Sequence, residues 1–200
     1  MHTDTAPVIA AVVPAYRVAS RILEVLASIG PEVTRIYVVD DACPQQSGAR
    51  VESECRDPRV HVLRHATNQG VGAATMTGYR AAIADDAGVI VKIDGDGQMP
   101  AERIPALIAP LVRGEADYVK GNRFYDLGSL REMPRVRLLG NAGLSFLNKL
   151  SSGYWNLFDP TNGFTAIHAR VAAALPLEQV SRRYFFESDM LFHLNIVRAV

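Results

Sequence analysis

Two aspartates separated by one glycine, Asp94-Gly95-Asp96, form the most chemically suggestive triplet in the sequence. Hard divalent cations take oxygen ligands and commonly complete their shell with phosphate oxygens and water. A paired-acid turn of this kind suits a Mg²⁺ or Mn²⁺ ion bridging protein to a diphosphate. The same triplet also fits an Asp/Gly-rich turn chosen for its backbone angles. An EF-hand loop is excluded, because Pro100 and Ala101 stand where further oxygen ligands would be needed. A second acid pair, Asp40-Asp41, could accept hydrogen bonds from ribose hydroxyls or a base N–H, or belong to a solvated turn or an N-cap. Asn68-Gln69-Gly70-Val71-Gly72 places glycines at a helix start, where free N–H groups and the dipole favour anions. Tight packing of that helix on a sheet explains the glycines equally well.

These residues need elements to bring them together. Residues 8–13 are an unbroken apolar run, as in a strand buried on both faces. Ser20 offers an N-cap to a helix carrying Ile22, Leu23, Leu26 and Ile29, which Gly30-Pro31 stops. Further strands are read at residues 35–39, 59–63, 88–93 and 117–120. Helices are read near residues 49–55, 70–86 and 100–113, with Pro100 in a first turn. Strand–helix alternation of this length implies right-handed βαβ crossovers and a mostly parallel sheet. In such sheets ligands bind beyond the carboxyl ends of the strands. Pro14-Ala15-Tyr16, Asp40-Asp41, His65 to Gly72 and Asp94 to Gln98 all follow strand ends, so one rim collects them.

Composition narrows the class. Of 200 residues, 48% are hydrophobic and 21% charged, with 21 Lys+Arg against 21 Asp+Glu. That balance argues against disorder and against a dedicated nucleic-acid binder. Two cysteines, Cys43 and Cys55, form no disulfide framework or zinc knuckle, which fits a reducing compartment. No signal peptide or 18-residue apolar span is legible. His65, His168 and His193 lack metal-ligand spacing and read as structural or surface residues, and Cys43 has no base beside it. Tyr154 and Trp155 could stack on a sugar or fill a core.

Pro14-Ala15-Tyr16, Val38-Val39-Asp40-Asp41, Asn68-Gln69-Gly70-Val71-Gly72-Ala73 and Asp94-Gly95-Asp96-Gly97-Gln98 together resemble the ordered motifs of family 2, GT-A fold glycosyltransferases. The resemblance implies an α/β fold with a mostly parallel central sheet flanked by helices. It implies a donor site of Pro14, Ala15, Tyr16, Asp41, Asn68, Gly70, Asp94 and Gln98, with Asp94 and Asp96 at the metal. Gly121-Asn122-Arg123 stands where the family carries a Gly-Ser/Asn-Arg motif. The segments 159–166 and 183–189 are similar to the polyprenyl-phosphate, dolichol-phosphate mannose synthase-like branch. That branch moves a sugar from a UDP- or GDP-sugar to a polyprenyl phosphate at the cytoplasmic face of a membrane. Arg123, Arg131, Arg135 and Arg137, beside an apolar stretch containing Ser145, would then hold the acceptor phosphate. Asp96, Arg123 and Asp189 would be catalytic, with inversion at the anomeric carbon.

Two other functions stay open at this level. One is a family 2 transferase acting on a saccharide, with Asp189 as base; the other is a nucleotide-sugar-binding domain without catalysis. The reading takes residues 1–200 as a single domain, its donor half at 8–123 and its acceptor half at 124–200. The final stretch from Asp189 reads as an apolar helix without a cap. It therefore predicts a longer native chain held at a membrane, a soluble fragment in these 200 residues, and a C-terminal face able to pair with a second copy.

Overall fold

The computed structural model describes residues 7–122, 153–154, 159 and 162–200. Its first strand, β1 (Ile9–Ala15), is buried along all seven residues. Because side chains alternate across a strand, Ile9, Ala11, Val13 and Ala15 face one core and Ala10 and Val12 face another. The first core is filled by Ile22, Val25 and Leu26 of α1 (Ile22–Ser28) and by Ile104, Leu107, Ile108 and Leu111 of α4 (Ile104–Val112). The second is filled from α3 (Val71–Ala84) and α6 (Phe186–Ile196), notably by Met76, Tyr79, Met190, Leu191 and Leu194. Helix α3 comes very close to β1: a Cβ on Gly78 would lie 2.2 Å from Val12 Cγ1.

The remaining elements are β2 (Arg35–Asp40), α2 (Ser47–Glu54), β3 (Val60–Arg64), β4 (Val89–Lys92), β5 (Tyr118–Lys120), β6 (Thr165–His168) and α5 (Ala169–Ala174). The sheet order is β3-β2-β1-β4-β6-β5. Pairs β1–β2, β2–β3 and β1–β4 are parallel, whereas β6 runs antiparallel to both β4 and β5. The chain therefore winds outward from β1 to β3, crosses back through α3, and resumes at β4. The switch point lies between β1 and β4, where an open parallel sheet leaves a crevice.

The expected α/β architecture is what the chain adopts, with three local differences. Strand β6 went unread in the sequence, because four residues of mixed character, Thr165-Ala166-Ile167-His168, carry neither alternation nor an apolar run. Ser20 does not cap α1; Arg21 holds that position and no side chain bonds the first turn. Helix α6 begins at Phe186, ahead of the expected Asp189. No helix of the described residues is long and apolar enough to cross a membrane.

Candidate active site

A cleft of ≈ 550 Å³ opens at the switch point. Pro14, Ala15 and Tyr16 from the end of β1 form one wall, and Asp94, Gly95 and Asp96 follow β4. Asn68, Gly70 and Val71 supply the start of α3, while Arg183, Tyr184 and Glu187 face them from the start of α6. The expected donor residues Pro14, Ala15, Tyr16, Asp41, Asn68, Gly70 and Asp94 are thus brought to one place. Gln98 is exposed and is not in the lining; its N–H donates to Asp96 Oδ1 at 3.0 Å. Arg123, Arg131, Arg135, Arg137, Ser145 and Trp155 lie outside the described residues.

The rim of β1 is shaped by its backbone. Arg17 adopts a left-handed φ of 59, which an L residue holds only when neighbours compensate. Its N–H donates to Cys43 Sγ at 3.0 Å, and its guanidinium lies 5.3 Å from the centroid of the Tyr16 ring. Cys43 is therefore a structural anchor, in line with the absence of a base beside it. Tyr16, 41% exposed, is left facing the cleft.

The two acid pairs meet different partners. Asp40 accepts hydrogen bonds from the N–H groups of Cys43 at 2.7 Å and Gly48 at 2.6 Å. Those bonds fix the loop into α2, and they take up the carboxylate that burial would otherwise penalise. Asp41 accepts from the N–H groups of Gln69 at 2.8 Å and Gly70 at 2.7 Å, and pairs with His65 Nδ1 at 2.7 Å. His65 Nε2 meets Thr77 Oγ1 at 2.9 Å, a structural role as expected. Asp41 thus ties the strand end of β2 to the loop entering α3. A carboxylate offers about four lone-pair positions, so three partners leave roughly one for a ligand.

Asp94 and Asp96 are more open. Asp96 is exposed on the cleft wall. Asp94 Oδ1 accepts from Lys92 Nζ at 2.8 Å, and the same ammonium reaches Glu187 Oε1 at 3.3 Å. The Lys92 side chain is 1% exposed, yet it sits in a strand that is otherwise apolar. Burial alone would lower its pKa, but the charges of Asp94 and Glu187 and the hydrogen bond to Asp94 outweigh this and hold it above the ordinary lysine value. Gly163 makes room for the pair, since a Cβ there would lie 2.4 Å from Lys92 Nζ and 2.9 Å from Asp94 Oδ2. Gly163 and Glu187 lie in the segments 159–166 and 183–189 that carry the branch resemblance, whereas no motif singles out Lys92. The legible signal was a single charge inside a doubly buried strand, which must find a partner.

Gly70, before α3, and Gly72, in its first turn, form a close-approach feature. Cβ atoms on Gly70 and Gly72 would come within 2.4 Å of Arg182 O and 2.3 Å of Ser181 O. Ala73 N–H, one of the otherwise orphan donors of α3, bonds Arg182 O at 3.1 Å. Asp189 stands apart from the cleft lining. Its Oδ2 accepts from Ser181 N at 2.7 Å, so among the described contacts it holds the turn before α6 rather than facing an acceptor. Glu187 occupies the cleft wall instead.

Both the sequence and the fold have relatives among known proteins. The family model described as glycosyl transferase family 2 matches residues 10–175. An undecaprenyl-phosphate mannosyltransferase from Micrococcus luteus is 33% identical over 159 residues, covering 78% of this chain and 64% of its own length. A UDP-N-acetylglucosamine–dolichyl-phosphate N-acetylglucosaminyltransferase from Methanococcus voltae is 32% identical over 133 residues, covering 66% of this chain and 53% of its own. Among solved structures, glucosyl-3-phosphoglycerate synthase from Mycobacterium tuberculosis, crystallised with Mn²⁺, UDP-glucose and phosphoglyceric acid, superposes with a TM-score of 0.71. It is 21% identical, and the match covers 95% of this chain and 66% of that one. The chain thus spans between half and two thirds of the length of these proteins.

Proposed function

The chain belongs to glycosyl transferase family 2, and on that premise we propose that it moves a sugar from a nucleotide diphosphate to a polyprenyl phosphate at the cytoplasmic face of a membrane, with inversion at the anomeric carbon. The observation that supports this reading is the cleft between β1 and β4, with carboxylates on one wall and Arg183 on the other. Pro14, Ala15 and Tyr16 would flank the nucleoside. Asp41 would serve the site chiefly by holding residues 65–70 in place, with its remaining acceptor position turned to the base.

The donor set fits a hard divalent cation. Among the described residues no three His, Cys, Asp or Glu side chains cluster to cage an ion. Asp94 and Asp96 would instead supply one or two oxygens, and the donor diphosphate the rest, the usual pattern for Mg²⁺ and available to Mn²⁺. Such an ion supplies Lewis-acid neutralisation of the leaving diphosphate. The protein's own groups do the remaining work. Lys92 keeps Asp94 turned into the cleft, and Arg183, with Arg123, Arg131, Arg135 and Arg137, would place the acceptor phosphate in line. A phosphate acceptor is already ionised near neutral pH and needs no general base. The capped position of Asp189 suits that chemistry better than the saccharide-acceptor reading, in which it must reach a hydroxyl.

The test is transfer of labelled sugar from UDP- and GDP-sugars to polyprenyl phosphate, with Mg²⁺, Mn²⁺ or a chelator. A lipid-linked product that disappears with the chelator is expected. Labelled product on a soluble saccharide alone, or nucleotide binding without any transfer, would overturn the proposal.

A further inference from the structure

The turn between Val180 and α6 is the least economical surface of the molecule. Arg182 and Arg183 are exposed, Tyr184 is 95% exposed and Phe185 is 65% exposed. Four consecutive residues thus present two cations and two aromatic rings to solvent, at the mouth of the cleft that Arg183 and Tyr184 also line. The backbone beneath them is firmly held. Arg182 O takes the N–H of Ala73, Ser181 N donates to Asp189 Oδ2, and Gly70 and Gly72 lack the Cβ atoms that would push the turn away. A strapped backbone that carries its aromatic rings outward is preorganised for a partner.

The exposed apolar surface continues along α6. Phe185, Phe192 and Ile196 recur at i, i+7 and i+11, which places them on one stripe; the latter two are 48% and 62% exposed. The opposite face of α6, with Phe186, Met190, Leu191 and Leu194, is buried in the core. Arginines mark both ends of the stripe, Arg182 and Arg183 at one and exposed Arg198 at the other. Aromatic residues on an apolar stripe edged by cations match the lipid–water interface, where rings sit among headgroups and arginines meet phosphates.

We propose that the turn at residues 182–185 and the outer stripe of α6 form the membrane-contact surface of this protein, docking on anionic lipid so that the cleft mouth opens at the headgroup layer. The inference rests on the proposed polyprenyl phosphate acceptor, whose phosphate lies at that depth. Arg182 binds headgroup phosphates while Arg183 faces the cleft, and Tyr184 and Phe185 enter the interface beside the entrance through which an acceptor phosphate must pass.

The experiment is sedimentation with vesicles of phosphatidylcholine containing phosphatidylglycerol, compared with phosphatidylcholine alone. The double variant Arg182→Gln/Phe185→Ser uses two side chains outside the cleft lining. Phe185 precedes α6, is 65% exposed and makes no cap bond, so the serine leaves the helix's own hydrogen bonds in place. The parent protein should partition onto the anionic vesicles in a salt-sensitive way, and the variant should lose roughly tenfold, the combined effect of about one arginine and one interfacial ring. UDP and GDP affinity should stay at the parent value. The proposal is overturned if the parent remains in the supernatant, or if the variant partitions equally. It is also overturned if the variant lowers the sedimentation-equilibrium mass instead, which would assign the face to a second copy of the chain. Vesicle binding is read without any transfer reaction, so it can fail while lipid-linked product still forms, and the reverse.

Discussion

Two acid pairs end strands on either side of β1, and their sequences look alike, but their surroundings differ. Asp40 and Asp41 stand at the end of β2 and are 4% and 2% exposed, with backbone amides and His65 taking most of their acceptor positions. Asp94 and Asp96 follow β4 and stand in a cleft, one tethered to a buried lysine and the other exposed. The first pair serves mainly to build loops; the second is more open to the cleft. Carboxylates at strand ends are therefore not equivalent: the donors around them decide whether they serve the chain or a substrate.

The sharpest way to break the contrast is Asp96→Asn. Among the described residues this exposed side chain bonds only Gln98 N, so the fold should be unchanged by circular dichroism and thermal midpoint. Turnover should fall on the order of 10³-fold, the scale of a lost metal or electrostatic contact in a transition state. Near-normal transfer would remove Asp96 from the metal and erase the distinction between the pairs.

Lys92→Met tests what holds the second pair open to the cleft. Removing the ammonium leaves Asp94 and Glu187 facing each other without their shared cation. Breaking one partner of a buried pair is costly, here about 3 kcal/mol by urea denaturation. In the folded fraction, affinity for a nucleoside diphosphate with Mn²⁺ should fall roughly tenfold, while that for the bare nucleoside holds, because the wall of Pro14 to Tyr16 is untouched. Equal loss for both ligands would mean that Lys92 is merely structural.

Asp40→Ala addresses the other pair. It strands two buried N–H groups at the start of α2, for about 2 kcal/mol of stability. Nucleotide affinity, measured on the folded protein, should change little. A selective loss of binding would move Asp40 into the donor site.

The contrast also marks what the sequence could and could not reveal. The parallel core and the rim were legible because apolar runs and glycine-rich turns follow from strand and crossover geometry. Proximity across the sheet was not. Asp94 and Glu187 are 93 residues apart in the chain, and nothing local announces that Lys92 joins them. Likewise Gly70 and Gly72 signalled a close approach, but only the fold shows that the 181–182 backbone lies against them. Asp189 was recognisable as a first-turn acid; its engagement with Ser181 N depends on how the preceding turn folds back.

The smallest expected effect concerns what lies beneath each pair. Asp40 rests on backbone amides and Asp41 on amides and His65, whereas the floor below Lys92 includes Tyr79 with its hydroxyl on Thr165. Burial pushes Tyr79 from 10.0 to about 12, so the folded state favours the neutral phenol. Its contribution to stability is complete below the unfolded value near 10 and is lost as pH rises towards about 12. Tyr118, half-buried beside it and shifted the same way, adds to the loss. Tyr79→Phe should cost roughly 1 kcal/mol at pH 9, for the hydrogen bond to Thr165. That deficit should close by about pH 11, because only the parent gains an ionised Tyr79 on unfolding. Urea denaturation of both proteins at the two pH values is the measurement. A deficit that persists or widens would mean that Tyr79 already shares the solvent of the cleft, and that the floor under Asp94 is as wet as its rim.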